Sequence, residues 1–247
     1  MKARVAINGF GRIGRVFLRS VLNHPNIEVV AINDLSSSET MSHLFKYDSV
    51  HRTFEGKVSY TSNSIIVDDK PIYYSSISQP EKLPWKDLKV DVVLECTGNF
   101  KTKKLAFKHL EAGAKKVIIS APPSDIDIKT IVIGVNDDII DGTEQILSNA
   151  SCTTNSAAPM IQLINNHFGI ESAYITTIHS YTTDQRLHDS PHNDLRRARA
   201  GATSIVPTTT GAAKAITKIF PELADKMGGC GIRVPVPDGS LTDITCI

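Results

Sequence analysis

The chain has 247 residues, 41% of them hydrophobic and 21% charged, a composition that suits two domains or one large α/β unit and excludes disordered and fibrous classes. With 27 Lys and Arg against 26 Asp and Glu the net charge is +1, so no global field draws the chain to nucleic acid or to an anionic membrane. The four cysteines, Cys96, Cys152, Cys230 and Cys246, are far apart without a CxxC pair; no apolar run approaches the roughly 18 residues of a membrane span, and a reducing cytoplasmic setting is expected.

Met1-Lys2-Ala3-Arg4 leads, without a signal-peptide core, into a strand predicted over Arg4 to Asn8. Gly9-Phe10-Gly11-Arg12-Ile13-Gly14 follows, and then a helix with Ile13, Val16, Phe17 and Val21 on its apolar face. Ile27 to Asn33 reads as a second strand, with Asp34 at its tip, 20 residues after Gly14. A GxGxxG run is weak evidence alone, but between a strand and a helix, with an acid at this spacing, it points to dinucleotide binding. The first glycine permits the tight turn, the second lets backbone approach a pyrophosphate, and the third lets the helix pack on the strand. Asp34 would accept hydrogen bonds from the ribose hydroxyls; without the glycines it would read as a turn former at a strand end.

From Gly56 to Tyr74 the pattern becomes antiparallel hairpin, with Asp68-Asp69 as a turn. The α/β rhythm resumes at a strand over Val90 to Glu95 and a helix over Leu105 to Ala112, followed by strands over Val117 to Ser120, Ile131 to Val135 and Glu144 to Leu147. Thr97-Gly98 and Ser120-Ala121-Pro122 follow strand ends, where an open parallel sheet binds ligands. A third helix runs from the polar segment Ser148-Asn149-Ala150-Ser151-Cys152-Thr153-Thr154-Asn155 to Gly169, and strands are expected over Ile170 to His179, Gly231 to Val236 and Thr242 to Ile247. The natural division falls just before Cys152.

Cys152 therefore starts a helix, where unpaired N–H groups and the helix dipole favour thiolate over thiol and can receive an oxyanion. A lone free cysteine is most often a small buried hydrophobe, but the flanking Ser, Asn and Thr argue against an apolar pocket. His179, one supersecondary unit later, is the candidate partner, whereas His109 and His167 fall within helical patterns and read as structural or solvated.

Several segments now coincide: Asn8-Gly9-Phe10-Gly11-Arg12-Ile13-Gly14-Arg15, the Cys152 segment, Asp194-Leu195-Arg196-Arg197-Ala198-Arg199, Pro207-Thr208-Thr209-Thr210-Gly211-Ala212-Ala213-Lys214 and Arg233-Val234-Pro235. In this order the whole chain resembles the phosphorylating glyceraldehyde-3-phosphate dehydrogenase family. The resemblance implies a Rossmann-type doubly wound parallel-sheet domain over residues 1–151 and an α+β catalytic domain with a mixed sheet over residues 152–247. It implies that Cys152 attacks the aldehyde of glyceraldehyde 3-phosphate and His179 takes the proton. Hydride then passes to NAD, and inorganic phosphate cleaves the resulting thioester. Cofactor contacts fall on Gly9, Gly11, Arg12, Ile13, Asp34, Thr97, Gly98 and Ser120. Phosphate contacts fall on Ser151, Thr153, Thr182, Arg197, Thr210, Gly211 and Arg233. Read alone, Arg196-Arg197-Ala198-Arg199 would be a solvated basic loop or interface; the resemblance selects Arg197. The complete protein is expected to be a cytoplasmic homotetramer of glycolysis, requiring no metal.

The chain also departs from the family. Ser156 stands where members often carry a second cysteine. Ser190 replaces a leucine common in NAD-specific members and would favour NADP, but Asp34 repels a 2'-phosphate and keeps NAD the expected cofactor. Ser78-Gln79 replace an arginine near the adenine before Pro80. Members also continue past Ile247, with an asparagine that orients the nicotinamide, further strands and a docking helix, so the chain is expected to be a truncated form with little activity of its own. The rivals are a sister dehydrogenase acting on erythrose 4-phosphate and a noncatalytic dinucleotide-binding fragment.

Overall fold

Strand β1 (Ala3–Asn8) runs into the glycine turn, helix α1 (Arg12–Val21) and strand β2 (Ile27–Asn33), which lies parallel to β1 with Asn8 opposite Asn33. The structure, a computed structural model, describes residues 2–247. Gly9 has φ +92°, and a Cβ on Gly14 would stand 2.4 Å from the Gly9 carbonyl oxygen. Those two positions thus need glycine for different reasons, one for the left-handed turn and the other for the close approach of α1 to it.

The chain continues through helix α2 (Ser38–Lys46) into strands β3 (Val58–Thr61), β4 (Ser64–Val67) and β5 (Lys70–Ser75). Strand β4 lies antiparallel to both β3 and β5, and β5 joins β2 in parallel. Asp68 and Asp69, at φ +47° and +64°, form the two-residue turn whose twist suits a hairpin. Strand β6 (Val92–Glu95), helix α3 (Lys103–Glu111), strand β7 (Lys116–Ile119) and strand β8 (Ile146–Ser148) extend the parallel sheet. Its strand order is β3-β4-β5-β2-β1-β6-β7-β8. Both faces are covered: Ala6, Ala31 and Val93 enter one apolar cluster with Trp85 and Ala106, while Ile7 and Ile32 enter another with Leu18 and Phe45. The alternation of neighbours between two cores is the period of two expected of a strand buried on both sides.

Helix α2 escapes the sequence pattern because its first turn is polar. Its start is nevertheless a side-chain cap, Ser37 Oγ accepting from the Thr40 N–H at 3.1 Å.

The expected strand over Ile131 to Val135 is corrected by the structure. Val135 donates to the Val132 carbonyl at 3.0 Å and Asn136 Oδ1 accepts from the Val132 N–H at 2.8 Å, so the segment closes into a turn. A side-chain amide there offers the backbone an alternative to a ladder. Of the compact units, one joins the residues up to Thr130 with Ile140–Asn149, and the other joins Ile131–Ile139 with Ala150–Ile247. The boundary before Cys152 is therefore not a single cut: Val132 is buried in the second core beside Ile161 and Ile175.

The second unit contains helix α4 (Cys152–Phe168), strand β9 (Ala173–Ser180), strand β10 (Val206–Thr208), helix α5 (Ala212–Ile219), strand β11 (Met227–Val234) and strand β12 (Ser240–Cys246). The sheet order is β10-β11-β9-β12, with β11 parallel to β9 and the outer pairs antiparallel. This is the mixed sheet expected from the sequence. No helix among the described residues is long and apolar enough to cross a membrane.

Candidate functional site

A cleft of about 340 Å³ opens at the C-terminal ends of β1, β2 and β6, the end of an open parallel sheet at which ligands bind. Gly9, Gly11, Asp34 and Thr97 line it, together with Ser78 and Pro80. A Cβ on Gly11 would meet nothing within 4 Å, and Gly11 precedes α1 without any side-chain cap. The first N–H groups of α1 therefore have room for an anion, the arrangement a pyrophosphate requires. Asp34 Oδ2 accepts from the Phe10 N–H at 2.8 Å and Oδ1 from the Ser36 N–H at 3.0 Å, which fixes the carboxylate beside the glycine turn. Arg12, Ile13, Gly98 and Ser120 lie outside this lining, with Ile13 on the exposed side of α1. The donor set and the open glycine fit a dinucleotide.

A buried polar network lies under the cleft, and the sequence gives no sign of it. Glu95 and His109 are 1% and 0% exposed. Trp85 Nε1 donates to His109 Nδ1 at 3.1 Å, so the ring proton sits on Nε2 and points at Glu95 Oε2, 3.1 Å away. Asn8 Nδ2 donates to the same oxygen at 2.6 Å, and the Thr97 N–H and hydroxyl both donate to Oε1. Asn8 Oδ1 in turn accepts from Asn33 Nδ2 at 2.8 Å. One carboxylate thus ties together the ends of β1, β2 and β6. Glu95→Ala would strand two buried donors, on Asn8 and His109, and two half-buried ones on Thr97, and should lower stability by about 3 kcal/mol or more. Urea unfolding measures it, and an unchanged midpoint would show that the network carries no load.

Cys152 is the first residue of α4, exposed, preceded by Ala150 at φ +58° and by the cap Ser151, whose Oγ accepts from the Thr154 N–H at 3.0 Å. Cys152 Sγ lies 3.3 Å from His179 Nε2. His179 sits near the end of β9, in register with Arg233 of β11 and Ser240 of β12. Arg233 Nη1 is 2.7 Å from His179 Nδ1 and 2.9 Å from the Ser180 carbonyl oxygen. Burial lowers the Arg233 pKa, the neighbouring Arg197 guanidinium pushes the same way, and Asp184 and Cys152 oppose them. Two guanidinium groups held near one another beside a thiol make a local positive field suited to an anion.

Arg197 is held by Asp184 and reaches the Thr209 carbonyl at 3.3 Å. Burial works to raise the Asp184 pKa, but hydrogen bonds from Arg197 and His192 outweigh it and keep the carboxylate below its usual range. Thr210 Oγ1 accepts from the Ala212 N–H at 3.2 Å, and Gly211 is the exposed residue before α5. The other expected phosphate contacts have the following surroundings. The Ser151 hydroxyl is taken by the cap and by Thr154 Oγ1, Thr153 is 7% exposed, and the Thr182 N–H donates to Gln185 Oε1. Asp184 was missed by sequence reasoning, although an acid three residues after Tyr181 and 13 before Arg197 is the kind of countercharge a basic loop needs.

The remaining thiols differ from Cys152 in access. Burial pushes the Cys96 thiol up to about 12, with the charge of Glu95 adding to it and a Ser120 hydrogen bond opposing, and burial also raises Cys246. Limited iodoacetamide treatment at neutral pH should label Cys152 at least about tenfold faster than the others. Peptide mapping decides the order, and first labelling of Cys96, Cys230 or Cys246 would remove Cys152 from its proposed role.

Comparison with known proteins gives two family-model matches, "Glyceraldehyde 3-phosphate dehydrogenase, NAD binding domain" over residues 3–103 and "Glyceraldehyde 3-phosphate dehydrogenase, C-terminal domain" over residues 151–247. The chain is 53% identical over 247 residues to the glyceraldehyde-3-phosphate dehydrogenase of Clostridium acetobutylicum, an alignment covering 99% of this chain and 74% of that protein. To the Thermotoga maritima enzyme of that name it is 58% identical over 247 residues, with the same coverage of both chains. To the Geobacillus stearothermophilus enzyme it is 53% identical over 245 residues, covering 99% of this chain and 73% of the other.

Proposed function

The chain belongs to the glyceraldehyde-3-phosphate dehydrogenase family, and from that premise we propose that it catalyses the NAD-dependent oxidation and phosphorylation of glyceraldehyde 3-phosphate to 1,3-bisphosphoglycerate. The observation that carries the reading is the exposed Cys152 at the head of α4 with its sulfur 3.3 Å from His179 Nε2. A thiolate there attacks the aldehyde carbon, and the C–S bond that forms leaves an alkoxide facing the N–H groups of the helix terminus. His179 protonates that oxygen and takes the proton back as the carbon is oxidised, leaving a thioester on Cys152. Inorganic phosphate then forms a C–O bond to the acyl carbon, and the C–S bond breaks to return the thiolate. The dinucleotide supplies the hydride acceptor when bound.

In this reading Gly9, Gly11, Arg12, Ile13, Asp34, Thr97, Gly98 and Ser120 hold the dinucleotide, and Arg197, Arg233, Thr210, Gly211, Ser151, Thr153 and Thr182 serve the two phosphates. The two arginines are the members of this set best supported, because their charges are neighbours and only Arg197 has a carboxylate partner among the described residues. The family resemblance brings a homotetramer and a cytoplasmic setting with it. Side-by-side turnover with glyceraldehyde 3-phosphate and erythrose 4-phosphate, each with and without inorganic phosphate, tests the assignment. The expected result is a phosphate-dependent rate highest with glyceraldehyde 3-phosphate; a preference for the four-carbon sugar, or a rate indifferent to phosphate, would overturn it.

NAD is the cofactor of choice because Asp34, fixed by the Phe10 and Ser36 N–H groups at the cleft wall, can accept from ribose hydroxyls and would repel a 2'-phosphate. Asp34→Ala should narrow the ratio of kcat/KM values for NAD and NADP by about tenfold, equivalent to about 1.4 kcal/mol. An unmutated protein that prefers NADP would show that Ser190, and not Asp34, governs the choice.

A further inference from the structure

Glu95 carries a charge that nothing around it neutralises. Asn8 Nδ2 and His109 Nε2 donate to its Oε2, and the N–H and hydroxyl of Thr97 donate to its Oε1. The directions of these bonds are fixed from behind. Asn8 Oδ1 is taken by Asn33, and the Thr97 hydroxyl accepts from the Asn99 N–H at 3.1 Å and turns its own proton to Glu95. Four donors on two oxygens leave no acceptor for a proton of its own, so Glu95 stands as a carboxylate. Among the described residues His109 is the single basic side chain within ion-pair distance of it. The Trp85 indole can only donate, so the His109 Nδ1 that meets it holds a lone pair and the ring is neutral. The outcome is one net negative charge, 1% exposed, in a bed of neutral donors.

That charge lies directly beneath the cleft. Asn8, Thr97 and Asn99, all bonded into its network, line the cleft, and so does Cys96, whose thiol is raised chiefly by burial and further by the Glu95 charge. In the sheet β2 and β6 flank β1 on opposite sides. With Asp34 beyond β2 on the adenosine ribose, the nicotinamide half of a dinucleotide falls to the β6 side, where Glu95 ends the strand.

We propose that Glu95 makes the cleft select the oxidised dinucleotide: its uncompensated carboxylate attracts the cationic nicotinamide ring of NAD and has no such attraction for the neutral ring of NADH. The inference rests on the reading of the cleft as a dinucleotide site. Burial of the carboxylate away from water and salt keeps the interaction poorly screened, and across a protein interior one pair of charges shifts an equilibrium on the order of tenfold. Loss of the ring charge on reduction ends the attraction, so the product cofactor is held less tightly than the one that entered. A carboxylate that served only to tie β1, β2 and β6 together would hold both forms alike, and the ratio of their affinities separates the two roles.

Calorimetric titration with NAD, NADH and the isosteric analogue in which an uncharged benzamide replaces nicotinamide reads that ratio. A Cys152→Ser background keeps any charge on the sulfur out of the comparison and prevents turnover. The parent protein should bind NAD on the order of tenfold more tightly than NADH or the benzamide analogue. Glu95→Gln, which removes the charge and keeps the length, should bring the three affinities within about twofold of one another. His109→Lys, which keeps the carboxylate and sets a cation against it, should narrow the same gap. Should neither variant fold, the analogue decides in the parent protein: equal affinity for NAD and its uncharged isostere overturns the inference. Parallel weakening of all three ligands in either variant, with their ratio preserved, also overturns it and leaves Glu95 a structural tie. A chain that binds none of the three would remove the dinucleotide reading and this inference with it, whereas a chain that binds NAD and NADH equally would remove the inference alone.

Discussion

Cys152→Ser should lower turnover by at least about 10⁴-fold while leaving dinucleotide affinity nearly unchanged. The effect is large because serine keeps the position at the head of α4 and loses the property the position exploits. A sulfur nucleophile gives up its proton far more readily than a hydroxyl, which remains protonated there even with His179 in reach. Dinucleotide binding should survive because the cleft that contains Gly9, Gly11, Asp34 and Thr97 makes no use of this sulfur. Single-turnover kinetics and a binding titration separate the two quantities. Wild-type rates in the serine variant would rule out covalent catalysis through residue 152.

His179→Asn should lower kcat by about 10² to 10⁴-fold, the range general acid–base catalysis supplies. Asparagine can still offer an N–H toward sulfur, but it cannot take up a proton and return it. Thiolate stabilisation and proton transfer should therefore fail to different degrees, and the rate of Cys152 alkylation should fall far less than turnover. Equal losses in the two assays would mean that His179 acts only on the resting thiol and has no part in the later proton transfer.

The legible parts of the molecule were those written in neighbouring residues. The glycines from Gly9 to Gly14, with Asp34 at the end of the next strand, specify their turn, helix contact and acid without reference to the rest of the chain. Asp68-Asp69 declared its hairpin for the same reason, two adjacent residues able to adopt positive φ. The run Ile131 to Val135 misled because three apolar residues in succession look like a strand, and the competing Asn136 amide lies just beyond them. Helix α2 stayed hidden behind a polar first turn. At the candidate site, the polar helix start exposed Cys152, and His179 followed from its place at a strand end. The contact between His179 and Arg233 could not be read, because it depends on the parallel register of strands whose residues are 54 apart. The Glu95 and His109 pair was similarly invisible: a histidine in a helical pattern reads as structural, and nothing local shows that it anchors the carboxylate beneath the cleft.

The central claim is that Cys152 carries the acyl group between oxidation and phosphorylation. Mass spectrometry of the protein mixed with glyceraldehyde 3-phosphate and NAD, without inorganic phosphate, tests it most directly. The account predicts a 3-phosphoglyceroyl adduct on the Cys152 peptide alone, which disappears within one turnover when inorganic phosphate is added. NADH formed with every cysteine unmodified, or an adduct on Cys96, Cys230 or Cys246, would contradict it.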